Sequence, residues 1–197
     1  MKTGVFLARM QPLHNAHMWL MEKACKENDQ VVVMLGSSNK RDMLRNPFDI
    51  ELRDEILHTA LTENFGKEFS DKVRVYEIPD WSFENDIAND KEWGRYFYYN
   101  TVSRARTKKF SIYYSDDPEI ILNWFDPEIQ ERINFRFFKR KKLFEGLSSS
   151  KIREAFHNND KDFVKRWCPP VVYRRFDELR DIWCEVKKNP KEDFSME

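Results

Sequence analysis

Two imidazoles stand three residues apart in this chain, His14 and His17, a few residues downstream of Arg9. They follow an apolar run at 4–8 and a turn marked by Pro12, and residues 18–26 after them have helical periodicity. A strand that hands an arginine and two histidines to a helix N-terminus makes an anion site. The unpaired backbone N–H groups and the helix dipole there both favour negative charge. The chemistry such a site suits is the handling of a nucleoside triphosphate. His-x-x-His is also a zinc-chelating spacing. No acidic or cysteine third ligand stands at a recognisable distance from it, so no metal ligand is assigned. A second polar cluster, Ser148-Ser149-Ser150-Lys151-Ile152-Arg153, opens another helix. Taken alone, it reads as a serine cap with a surface arginine.

The elements that must position these groups alternate. Strands are expected at 4–8, 30–36, 73–78, 110–114 and 133–138. Helices are expected at 18–26, from an Asp49 cap to about 64, around 93–104, from Asp117-Pro118, from Ser148, and from Pro169-Pro170. The second strand is a continuous apolar run, as a fully covered parallel strand requires. In the last helix Val172, Phe176, Leu179, Trp183 and Val186 form one stripe, read as core packing with a subunit contact left open. Strand–helix alternation predicts an α/β fold, a Rossmann-like doubly wound parallel sheet with C-terminal helices from about 148. Ligands of such sheets bind beyond the C-terminal strand ends, where strand order reverses. The polar clusters at 9–17, 37–45, 80–93 and 115–117 all follow strands. One domain is expected over 1–188, with 189–197 as a frayed tail.

Composition narrows the function classes. Lys+Arg 34 balance Asp+Glu 34, which argues against general nucleic-acid affinity and makes any anion site local. No apolar run is long enough to span a membrane, and no signal sequence is read at the start. The chain is expected to be soluble and cytoplasmic. Cys25, Cys168 and Cys184 lack C-x-x-C spacing and read as reduced thiols. The basic run at 139–142 reads as a solvated turn. His58 and His157 receive no role. Trp93 shares a helix stripe with Tyr96 and Phe97, so core packing and ligand stacking are both open, and Arg45 suits either a phosphate or solvent.

The segment Ala8-Arg9-Met10-Gln11-Pro12-Leu13-His14-Asn15-Ala16-His17 resembles the G-R-F/M-Q-P-x-H-x-G-H motif of the nucleotidylyltransferase superfamily. It is most similar to the nicotinamide mononucleotide adenylyltransferases of the archaeal type, which also occur fused to Nudix domains. Leu44-Arg45-Asn46-Pro47-Phe48 with Arg53, Asn89-Asp90-Lys91-Glu92-Trp93, and Ser148 to Arg153 resemble later blocks of that family, in the same order. The resemblance covers about 4–175. It implies an adenylyltransferase joining ATP and nicotinamide mononucleotide to give NAD and pyrophosphate, with Mg²⁺ on the triphosphate. The catalytic groups it implies are His14, His17, Arg9 and Arg153, with Ala8, Ser148 and Ser149 also at the ATP. Gln11, Arg45, Asn89, Asp90 and Trp93 would serve the mononucleotide, Trp93 by stacking on the pyridine ring. Partners would be small molecules, with homo-oligomerisation open. Other acceptors, such as nicotinate mononucleotide or phosphopantetheine, and a non-catalytic nucleotide sensor are the alternatives. The chain departs from the family at Ala8 and Ala16, which replace glycines, at Leu52, which replaces a glutamate, and at Asp116-Asp117.

Overall fold

The computed structural model of the protein describes residues 1–80, 90–115 and 117–191. The elements run β1 (Thr3–Ala8), α1 (Asn15–Glu27), β2 (Gln30–Gly36), α2 (Ile50–Phe65), α3 (Lys67–Ser70), β3 (Val73–Ile78), α4 (Asp90–Ala105) and β4 (Phe110–Tyr114). They continue as α5 (Pro118–Trp124), α6 (Pro127–Gln130), β5 (Ile133–Phe137), α7 (Arg140–Leu143), α8 (Ser149–His157), α9 (Lys161–Trp167), α10 (Pro170–Arg174) and α11 (Phe176–Lys188). The strands form one sheet in the order β3-β2-β1-β4-β5, every pairing parallel. This is the expected doubly wound α/β architecture, and order reverses between β1 and β4.

Burial on both faces explains the uniformly apolar β2. Val31, Val33 and Leu35 face one core with α1, α2, α8, α10 and α11. Val32 and Met34 face the other with α4 and α5. Local signals set several helix ends. The Asp49 carboxylate accepts from the Leu52 N–H at 2.8 Å and starts α2. Gly66, at φ 80°, ends it, a conformation glycine adopts without strain. Asp117 caps α5 by accepting from the Glu119 N–H, with Pro118 following.

Four expectations change. Helix α1 begins at Asn15 rather than 18, because His14 takes the extended N-cap conformation, so His17 lies within the first turn. The last helix is two, α10 and α11, broken at Arg175 (φ −95°, ψ 19°). Its stripe is nonetheless buried throughout, from Val172 to Val186. The segment expected to fray is tied at its start, where the Lys191 N–H donates to the Asp42 carbonyl at 2.9 Å. Residues 192–197 lie outside the described residues. The basic run at 139–142 contributes to the short α7 rather than a simple turn.

Candidate active site

Two cavities open side by side at the C-terminal ends of the strands. The larger, about 510 Å³, is bounded by β1 and β4, the loop before α1, and the start of α8. The smaller, about 410 Å³, lies over β1 and β2 toward α4 and α5. Leu7, Ala8, Arg9 and Tyr114 line both. The charged side chains lining the larger cavity are Arg9, Arg45 and Arg153, with His17 beside them. In a chain of zero formal net charge, that local cationic lining suits a polyanion.

His17 lines the larger cavity. Its Nδ1 accepts the backbone N–H of His14 at 3.3 Å, so Nε2 is the nitrogen that carries a proton. His14 is buried, 1% exposed, and its ring stacks on His17 with centroids 3.7 Å apart. The resemblance implies that both histidines serve the triphosphate; the structure puts His17 on the cavity wall and His14 behind it. The reason is the early start of α1, which turns the N-cap side chain inward. Arg9 is exposed between the two cavities.

Helix α8 completes the wall. The Ser148 hydroxyl accepts the Lys151 N–H as an N-cap, which leaves its proton for a phosphate oxygen. Ser149 differs, because its hydroxyl donates to the Pro12 carbonyl at 3.2 Å and so ties α8 to the histidine loop. Arg153 is buried, donating from Nη1 to the Gln11 carbonyl at 2.6 Å and from Nη2 to Ser150 Oγ at 3.2 Å. Burial, and then the nearby Arg9 charge, lower its pKa to about 10. It stays cationic at neutral pH, at a cost that an anionic ligand offsets.

Trp93, Trp124, Ser37 and Asp80 line the smaller cavity. The two indoles meet edge to face at 6.2 Å. Asp80 accepts from the Ser37 hydroxyl at 2.8 Å and lies 3.7 Å from the Lys40 ammonium. Asp80 opens the polar stretch at 80–93 expected after β3, whereas Trp124, brought in by α5, carried no sequence signal. Helix α4 reaches this position only because residue 94 is glycine: a Cβ there would stand 1.8 Å from the Trp124 carbonyl oxygen. Gly94→Ala is expected to destabilise the fold by roughly 1–3 kcal/mol, read as a lower midpoint in urea. Asp90 is exposed in the first turn of α4 and is not among the residues lining the smaller cavity. Asn89 and Asp116 lie outside the described residues.

Gln11 lines the larger cavity, but its side chain is engaged elsewhere. The amide donates to the Phe48 carbonyl at 2.8 Å and accepts the Phe48 N–H at 3.0 Å. It holds the Arg45 loop against the β1–α1 loop. Arg53 was given no role by sequence, and it does comparable work. Buried in α2, it donates to the carbonyls of Asp49, Arg9, Gly36 and Ser37, stapling the ends of β1 and β2. Burial, outweighing nearby carboxylates, lowers its pKa to about 10.

The cytidylyltransferase-like family model matches residues 5–155. A nicotinamide-nucleotide adenylyltransferase of Pyrobaculum aerophilum is 30% identical over 163 residues, 81% of this chain and 79% of that protein. Another of the same name from Caldivirga maquilingensis is 25% identical over 182 residues, 92% and 91% of the two chains. Among solved structures, a bifunctional NMN adenylyltransferase/ADP ribose pyrophosphatase from Francisella tularensis, complexed with AMP and a Mn ion, superposes with a TM-score of 0.69 at 16% identity. That match covers 94% of this chain but spans 51% of the Francisella protein's length; at such identity it shows the fold alone. The chain belongs to the cytidylyltransferase-like family, among its nicotinamide-nucleotide adenylyltransferases.

Proposed function

We propose that the protein joins ATP and nicotinamide mononucleotide to give NAD and pyrophosphate, with the triphosphate in the larger cavity and the mononucleotide in the smaller. The observation that carries this reading is the pairing of an arginine-lined cavity with a tryptophan-lined one across a shared Arg9. An oxygen of the acceptor's 5′-phosphate attacks the α-phosphorus in line. The bond from that phosphorus to the bridging oxygen breaks, and its electron pair leaves on pyrophosphate. The attacking oxygen is already anionic, so no general base is needed. Positioning and a preorganised positive field supply the catalysis. In this reading His17 Nε2–H and Arg153 meet the leaving charge, and Arg9, which lines both cavities, holds both phosphates.

Among the described residues no group of three or more His, Cys, Asp or Glu is placed to hold a metal ion. The donors at the larger cavity are hydroxyls and cations, so Mg²⁺ would be held chiefly by the nucleotide's own phosphate oxygens and water, as that ion commonly is. Bound there, it would draw charge from the triphosphate as the bond breaks. The zero net charge supports small-molecule partners rather than nucleic acid. Among the described residues no helix is long and apolar enough to cross a membrane, and we place the enzyme in the cytoplasm with its substrates.

Asp80 favours the amide over the acid as acceptor. A nicotinate carboxylate entering the smaller cavity would meet the Asp80 carboxylate, whereas a carboxamide N–H can donate to it. The assay is dinucleotide formation from ATP with each mononucleotide in turn. The wild type is expected to prefer the amide. Asp80→Asn keeps an acceptor for Ser37, removes the charge, and is expected to raise relative use of the acid about tenfold. An unchanged ratio would remove Asp80 from the account of specificity.

A further inference from the structure

We infer that Trp183 is a positioning residue, whose indole face holds the Arg153 guanidinium in place for the triphosphate. The inference rests on the adenylyl-transfer reading above and adds to it a residue that no motif marks. Helix α11 lies beyond residues 5–155, the part matched by the family model.

Arg153 is an unusual buried cation. Its guanidinium makes two hydrogen bonds, to Gln11 and Ser150, and Nε is buried without a hydrogen-bond partner. Among the described residues it makes no ion pair with a carboxylate. A buried charge of this kind is costly unless something of opposite polarity faces it. The face of Trp183 does, with the guanidinium carbon 5.4 Å from the ring centroid. Both side chains are 9% exposed, and desolvation is the condition under which a cation–π contact is strongest.

The choice of partner has a chemical consequence. A carboxylate in the same place would neutralise the guanidinium and compete with the triphosphate for its donors. An aromatic face restrains the group while leaving its charge and its remaining N–H groups available. The indole's own Nε1 is buried and makes no hydrogen bond, so the side chain is not placed there for its N–H. The rest of the α11 stripe, Phe176, Leu179 and Val186, is buried with it and fits simple core packing. Trp183 is the member of that stripe that touches the site. The β1–α1 loop, α8 and α11 are thereby joined through one side chain: Gln11 and Ser150 accept its N–H groups, and its guanidinium carbon lies over the ring of Trp183.

Site-specific incorporation of tryptophans with increasing fluorination at position 183 tests this, because fluorine drains the ring face with little change of shape. Affinity for a non-hydrolysable ATP analogue, measured by calorimetry, is expected to fall stepwise, by about tenfold at the most fluorinated ring. Affinity for the mononucleotide is expected to stay constant. The series is expected to be flat in an Arg153→Ala background. Trp183→Phe is expected to retain most of the affinity, and Trp183→Leu to lose about as much as full fluorination. A flat series in a protein that makes NAD would overturn the positioning role, as would an equal loss in the Arg153→Ala background. Should Trp183→Leu not fold, the fluorinated series still decides. Failure of the unsubstituted protein to make NAD would instead overturn the reaction assignment.

Discussion

Replacing His17 with alanine is expected to lower kcat for dinucleotide formation by about two to three orders of magnitude, with a much smaller change in the KM for ATP. The imidazole stands on the wall of the cationic cavity, in the first turn of α1. Its Nδ1 is engaged by the His14 N–H, and in the proposed reaction Nε2–H is the donor to the group that gains charge. An interaction made chiefly in the transition state affects kcat and kcat/KM together. The same variant separates catalysis from the sensor alternative. In a sensor, His17→Ala changes nucleotide affinity and no pyrophosphate is formed by either protein. Steady-state kinetics alongside calorimetry distinguish these outcomes. The fold should survive the change, because a cavity-wall side chain is removed rather than a core one.

Arg53→Met is expected to cost about 3–5 kcal/mol of stability, the largest effect on folding predicted here. Methionine keeps an unbranched apolar stem like that of the arginine but is shorter and offers no donors. The Arg9, Gly36 and Ser37 carbonyls, which Arg53 joins, would lose a shared partner in a region that is 2% exposed at Arg53 itself. Chemical denaturation measures the loss. Activity at low temperature, where the variant is still folded, is expected to fall as well, because the same bonds set the position of Arg9. A variant of unchanged stability would mean that water replaces these bonds at no cost, which contradicts the burial argument.

The legibility of the molecule follows the range of each interaction. Strand boundaries came out at β2, β3 and β4 because their signals are local: an apolar run closed by Gly36, by Pro79, or by the polar residues after Tyr114. The α2 and α8 caps, Asp49 and Ser148, were legible for the same reason. The break at Arg175 was not, because the apolar stripe from Val172 to Trp183 keeps helical spacing across it.

At the site, Arg9, His17, Arg45, Ser148, Ser149 and Arg153 come together around one cavity and Trp93 lines the other. These residues sit in motifs whose spacing carries the information. Trp124 and Asp80 sit in none. The scaffolding work of Gln11 and Arg53 was equally hidden, because their partners are backbone carbonyls and N–H groups from other segments. Side-chain type in sequence says nothing about which distant carbonyl needs a donor. Ala8 and Ala16 stand where the family carries glycine. Ala16 is buried at 3% exposure and Ala8 lines both cavities, so the added methyl of Ala8 adjoins the proposed nucleotide path.

The proposed reaction is direct adenylyl transfer between two cavities that share Arg9. Its most direct test uses ATP labelled at the α-phosphorus, the mononucleotide and Mg²⁺, in a single turnover with enzyme in excess. The label is expected to appear in NAD as pyrophosphate is released at the same rate, and none is expected on the protein in the absence of acceptor. Label bound covalently to the protein before the mononucleotide is added, or pyrophosphate released without any labelled dinucleotide, would contradict it.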